Sequence, residues 1–124
     1  MTIRCQFEVL EWNETKQDKT EDGCQLSTAK VAYQYRGGIE GKSQMEMQLI
    51  YYPDGTASFT GLEHVEGSVE GVATSFVLSH SGEHSEQGAS GVCRVTFSSN
   101  NADMVGWSGR YLATASSVDL ALGA

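Results

Sequence analysis

From its start the chain alternates. Ile3, Cys5, Phe7 and Val9 stand between Arg4, Gln6 and Glu8, the period of two expected of a strand with one buried face. The alternation predicts a first strand over residues 3–12, followed by a polar connection over 13–23 (NETKQDKTEDG). A second strand is predicted from Gln25 to Tyr35, with Ala29, Val31, Tyr33 and Tyr35 on one face. After Gly37-Gly38 a third runs to Tyr52, with Met45, Met47, Leu49 and Tyr51 sharing a face and Gly41 marking a bulge or bend. Pro53-Asp54-Gly55 is a tight turn, because proline presets the first turn dihedral and glycine supplies a positive φ.

The second half continues in the same way. A fourth strand carries Ala57, Phe59 and Leu62 to Val65, and Gly67 and Gly71 bracket a hairpin whose return strand holds Phe76, Val77 and Leu78. Residues 81–88 are expected to form a loop. Val92, Cys93, Val95 and Phe97 mark a sixth strand, residues 98–101 turn the chain, and two last strands are expected over 103–113 and 115–122. Turn signals at this spacing suit hairpin-connected antiparallel strands. Long strands in an open sheet would leave adhesive edges, and with one proline in the chain to blunt them, closure is the better solution. The expected fold is all-β: a closed antiparallel barrel of about eight strands, filling residues 1–124 as a single domain.

Composition narrows the partners. Sixteen acidic residues against eight basic give a net charge of −8, and the basic residues are scattered, so neither nucleic acid nor an anionic membrane is an expected partner. No apolar run is long enough for a membrane helix, and the opening segment MTIRCQFEVLEW lacks the apolar core of a signal peptide. Cys5, Cys24 and Cys93 cannot all pair with one another and fit no zinc knuckle. Free thiols in a reducing compartment are the simplest account, so a cytoplasmic location is expected.

One stretch carries a resemblance. Tyr52-x-x-Gly55-x-Ala57-x-Phe59-x-Gly61-Leu62-Glu63-x-Val65-x-Gly67, then Ser75-Phe76-Val77-Leu78-x-His80-x-Gly82 and Gly88-Ala89-Ser90-Gly91, resemble the core motif of the DUF3224 family. Trp12 at the end of the opening strand and Gly41-x-Ser43 agree with it. The resemblance implies a bacterial protein with a barrel similar to that of allene oxide cyclase, and no established activity. The chain departs from the family near its end, where Trp107 stands in a run that usually carries leucine. A pocket there would differ in shape.

Glu63 and His80 are the candidate catalytic pair. If Phe59 and Glu63 on one strand, and Phe76, Leu78 and His80 on the next, face inward, a carboxylate and an imidazole share one lumen and suit general acid–base work. The plainer reading is a buried pair tying two strands together. His80, Glu83 and His84 invite a metal reading, but their spacing spans a strand end and a loop, and no metal is expected. Cys93, mid-strand with no histidine near in sequence, reads as a core thiol. No phosphate loop, nucleophile elbow or paired-aspartate motif occurs, and no cofactor is expected.

An eight-stranded barrel is just wide enough to be filled by its own side chains or to hold one small ligand. The leading expectation is a binder of a small apolar molecule at one mouth, with Tyr51, Phe59, Glu63, Phe76, His80 and Trp107 as contacts. The alternatives are an isomerase or cyclase in which Glu63 shuttles a proton, and a packed barrel that assembles with further copies of itself through an outer strand face.

Overall fold

The computed structural model describes residues 2–113 and 117–124. Eight antiparallel strands follow one another around a closed barrel, each hydrogen-bonded to its sequence neighbours and the last to the first. They are β1 (Thr2–Lys19), β2 (Gln25–Gly37), β3 (Ile39–Tyr51), β4 (Ala57–Val69), β5 (Val72–Ser85), β6 (Gly88–Ser98), β7 (Ser108–Ala113) and β8 (Ser117–Gly123). Residues 114–116, which include the start of the expected eighth strand, lie outside the described residues.

Several boundaries differ from the expectation, each for a local reason. The polar segment after Trp12 is strand: Asn13 to Lys16 pair with Lys30 to Ser27, so β1 and β2 form a long hairpin arm. Its lack of alternation follows from its place, since the arm reaches beyond the described part of β8, which pairs with β1 from Thr2 to Glu8. The expected loop over 81–88 is mostly strand as well, because β5 and β6 stay paired out to Ser85 and Gly88. The β4–β5 turn is tighter than glycine spacing suggested. Glu70 (φ 48°) and Gly71 (φ 83°) both take positive φ, as the primed hairpin turns require. Gly41 marks no bulge; it lies in register opposite Gly67, where a side chain would strike the Glu66 carbonyl.

Two bulges decide which residues face inward. Leu10 is an extra residue between the pairs Val9–Tyr33 and Glu11–Ala32, so Trp12, opposite Val31, turns to the inner face. Thr96 is extra between Leu78–Val95 and Val77–Phe97. It sends Phe97 outward, 56% exposed, against the inward position that simple alternation assigns. Leu62 also faces out, because the inward parity of β4 runs Ala57, Phe59, Gly61, Glu63.

The barrel is filled at one end and hollow at the other. At the filled end Ile39, Val65, Phe76, Val95 and Leu122 are buried, and a 3-10 turn, Ala102–Met104, inserts the fully buried Met104 as a stopper. This turn takes the place of the first part of the expected seventh strand, which starts only at Ser108. The hollow end is bounded by the turns at 20–24, 52–56 and 86–87. On this end β7 is described up to Ala113, opposite Ala89 near the start of β6, and β8 from Ser117. No helix among the described residues is long and apolar enough to cross a membrane.

Candidate functional site

At the hollow end the barrel encloses a cavity of about 300 Å³, at the small end of ligand pockets. Its wall is largely apolar and aromatic: Phe7, Trp12, Tyr33, Tyr51, Phe59 and Tyr111 contribute rings, with His80 and His84 as polar members. Both histidines share the inner face of β5, two and six residues along from Leu78.

The floor is a hydrogen-bonded chain. Glu63, fully buried on β4, receives the Tyr35 hydroxyl (2.8 Å) and the Ser43 hydroxyl (2.5 Å) on Oε2. On Oε1 it meets His80 Nε2 at 2.6 Å. His80 Nδ1 then lies 2.9 Å from the Tyr111 hydroxyl. With an Nε2–H imidazole every donor and acceptor in this chain is matched: three groups donate to the carboxylate, and Tyr111 donates to Nδ1. His80 and Tyr111 stand in the cavity wall, and Glu63 sits behind them.

Glycines make room for two of the wall rings. Gly91 lies opposite Tyr111, whose ring crosses the space a side chain at Gly91 would take, and that crossing delivers the hydroxyl to His80. Gly82 lies opposite Phe59, and its missing side chain leaves the space that the Phe59 ring tip occupies.

At the rim the β1–β2 arm brings in Glu14. Its carboxylate receives Tyr51 Oη (2.7 Å) and Trp12 Nε1 (3.0 Å), both from residues of the cavity wall. Partial burial opposes its charge, but these hydrogen bonds and the nearby Lys16 outweigh it and hold the carboxyl below its ordinary range. Burial, reinforced by the Glu14 contact, pushes Tyr51 up to about 12.

The predicted contacts therefore divide. Tyr51, Phe59 and His80 line the cavity, and Glu63 anchors His80 from behind. Phe76 lies in the filled end, and Trp107 packs there beside the 3-10 turn, its amide bonded to the Met104 carbonyl; neither reaches the cavity wall. Ser43, Tyr111, Trp12 and Glu14 were not foreseen as site residues, and Tyr35 was expected only as one of the residues sharing a face of β2. Cys93, which looked remote from any histidine, pairs across strands with His80. Among the described residues, no three histidine, cysteine, aspartate or glutamate side chains gather so as to hold a metal ion.

The buried acids make the fold sensitive to alkali. Burial, with the Glu63 charge second, pushes the Cys5 and Cys93 thiols up to about 12 from an ordinary 9.0. The hydroxyls of Tyr33, Tyr35 and Tyr111 are held well above their usual range, chiefly by burial. The folded chain keeps these protons while the unfolded chain sheds them, so stability is intact below about pH 9 and falls as pH rises toward about 12. Each group adds a slope of at most about 1.4 kcal/mol per pH unit. Urea melts at about pH 8 and pH 10.5 should show a clear loss, reduced in the double variant Cys5→Ala, Cys93→Ala. A flat profile would contradict the burial of these groups.

The sequence profile of the family described as "Protein of unknown function (DUF3224)" matches residues 3–119. Among solved structures, a protein of unknown function from the DUF3224 family of Shewanella oneidensis MR-1 superposes with a TM-score of 0.70 at 20% identity. The match covers 99% of this chain and 94% of that one. At that identity the likeness shows a shared fold. No curated protein matches the sequence.

Proposed function

We infer that this chain, which belongs to the DUF3224 family, is a binding protein for a small, largely apolar molecule held in the open end of its barrel. One observation carries the reading: a cavity of about 300 Å³ with apolar and aromatic walls that ends on the His80–Tyr111 pair. Concave apolar sites with a few fixed polar groups are the usual form of small-molecule sites. The volume opposes a barrel packed throughout by its own side chains. The enzymatic alternative, with Glu63 as proton shuttle, is less well supported, because both Glu63 oxygens are committed to buried donors and the side chain has no exposed surface. Its role in this reading is to fix His80. The free cysteines are consistent with work in a reducing, cytoplasmic compartment.

The test uses N-phenyl-1-naphthylamine, a neutral dye that brightens in apolar surroundings. The parent should take it up saturably at about one per chain. Ala57→Phe, which adds a ring inside the cavity wall, should weaken uptake at least about tenfold, or about 1.4 kcal/mol. Equal uptake by both proteins, with the variant folded, rules the cavity out as the site; so does no uptake by the parent.

A further inference from the structure

Resting on the reading that the cavity takes a small molecule, we propose that its ligand class is the organic amines: an apolar body enters the barrel, and the ammonium group sits at the rim between Trp12, Tyr51 and Glu14. The rim is built for this. The Leu10 bulge turns Trp12 to the inner face, and Glu14 follows it there two residues on. The Glu14 carboxylate then ties down both rings, with Trp12 Nε1 at 3.0 Å and Tyr51 Oη at 2.7 Å. A carboxylate has about four acceptor positions; Trp12 and Tyr51 fill two and the buried Ser27 hydroxyl lies close enough to lower Glu14 further, which still leaves capacity for a ligand N–H. A carboxylate held at the edges of two aromatic rings, beside an apolar cavity, offers an ammonium group both a countercharge and aromatic surface.

The rest of the cavity points the same way. Among the described residues, the cavity wall holds no lysine or arginine, so an anionic ligand meets no permanent countercharge from them. At the floor the buried Glu63 adds a negative potential behind His80, and the net charge of −8 draws cations toward the protein and repels anions. Lys16, two residues beyond Glu14 on the same face of the arm, is the cation near it, and among the described residues the two form no ion pair, which leaves Glu14 open to a ligand cation. An ammonium at the half-open rim keeps part of its hydration, whereas one at the floor would lose nearly all of it. That places the charged head outward and the apolar body inward.

The experiment is calorimetric titration of the full chain with three probes that share one skeleton: tryptamine (cation), indole-3-ethanol (neutral) and indole-3-acetate (anion). Tryptamine should bind roughly tenfold tighter than the alcohol, with the acetate weakest. Glu14→Gln, checked for folding by its melting temperature, should erase the preference for the amine over the alcohol, both affinities being measured on the same variant. The proposal is overturned if the alcohol binds as well as the amine, if Glu14→Gln keeps the preference, or if none of the three binds while the neutral dye still enters. If the dye also fails to enter, the cavity reading falls with it.

Discussion

Replacing Glu63 with alanine should destabilise the barrel by about 4 kcal/mol or more, a large part of the 5–15 kcal/mol that holds a typical domain folded. The side chain is fully buried and receives Tyr35, Ser43 and His80. Truncation strands three polar groups in an apolar interior, at about 1–3 kcal/mol each before relaxation, and opens a void beside Met45 and Leu78, its neighbours in register. Glu63→Gln should cost far less, about 1–2 kcal/mol. The amide oxygen still accepts from Tyr35 and Ser43, and its NH₂ can donate to His80 Nε2 if the imidazole proton moves to Nδ1. Tyr111 then accepts where it had donated. Urea denaturation at pH 7 separates the two outcomes. Equal losses would mean that the charge, rather than the matched hydrogen-bond chain, holds the floor together; no loss in the alanine variant would mean that the chain contributes nothing.

That chain was half legible in the sequence. Glu63 and His80 follow from alternation alone, because Phe59 and Glu63 lie an even number of residues apart on β4, as do Phe76 and His80 on β5. Their partners need the register between strands. Ser43 pairs with Val65 rather than Glu63, so its hydroxyl reaches the carboxylate on a diagonal that no local pattern predicts. Tyr111 lies on β7, two strands from His80 on β5, and its role appears only when Gly91 is seen beneath its ring. Bulges hide information more completely. One extra residue reverses the facing of everything after it, which is why Phe97 looked like core and Trp12 like the end of a strand. The polar arm was read as a connection for a related reason: past Trp12 its inward positions are taken by Glu14 and Lys16, so the apolar alternation disappears although the strand continues.

Gly82→Ala should cost about 3 kcal/mol or more, and it should also disturb the cavity, although the change adds a single methyl group. The added carbon would strike the Ser90 carbonyl on β6, approach Gly91 Cα to 2.8 Å and meet the tip of the Phe59 ring at 2.6 Å. Two of these obstacles are backbone, held by the β5–β6 ladder on both sides, so relief requires the strands to part. The third is a cavity wall residue, and moving its ring changes the shape of the pocket. Gly55→Ala is the matched control. Gly55 has φ 90° but open space where a side chain would go, so its cost of about 1 kcal/mol comes from the backbone alone and leaves the cavity untouched. Melts of the two variants, each followed by dye uptake, should therefore diverge on both readouts. Should Gly82→Ala lose no more stability than Gly55→Ala, or keep the parent's uptake, the close packing of β5, β6 and Phe59 cannot be what shapes the open end of the barrel.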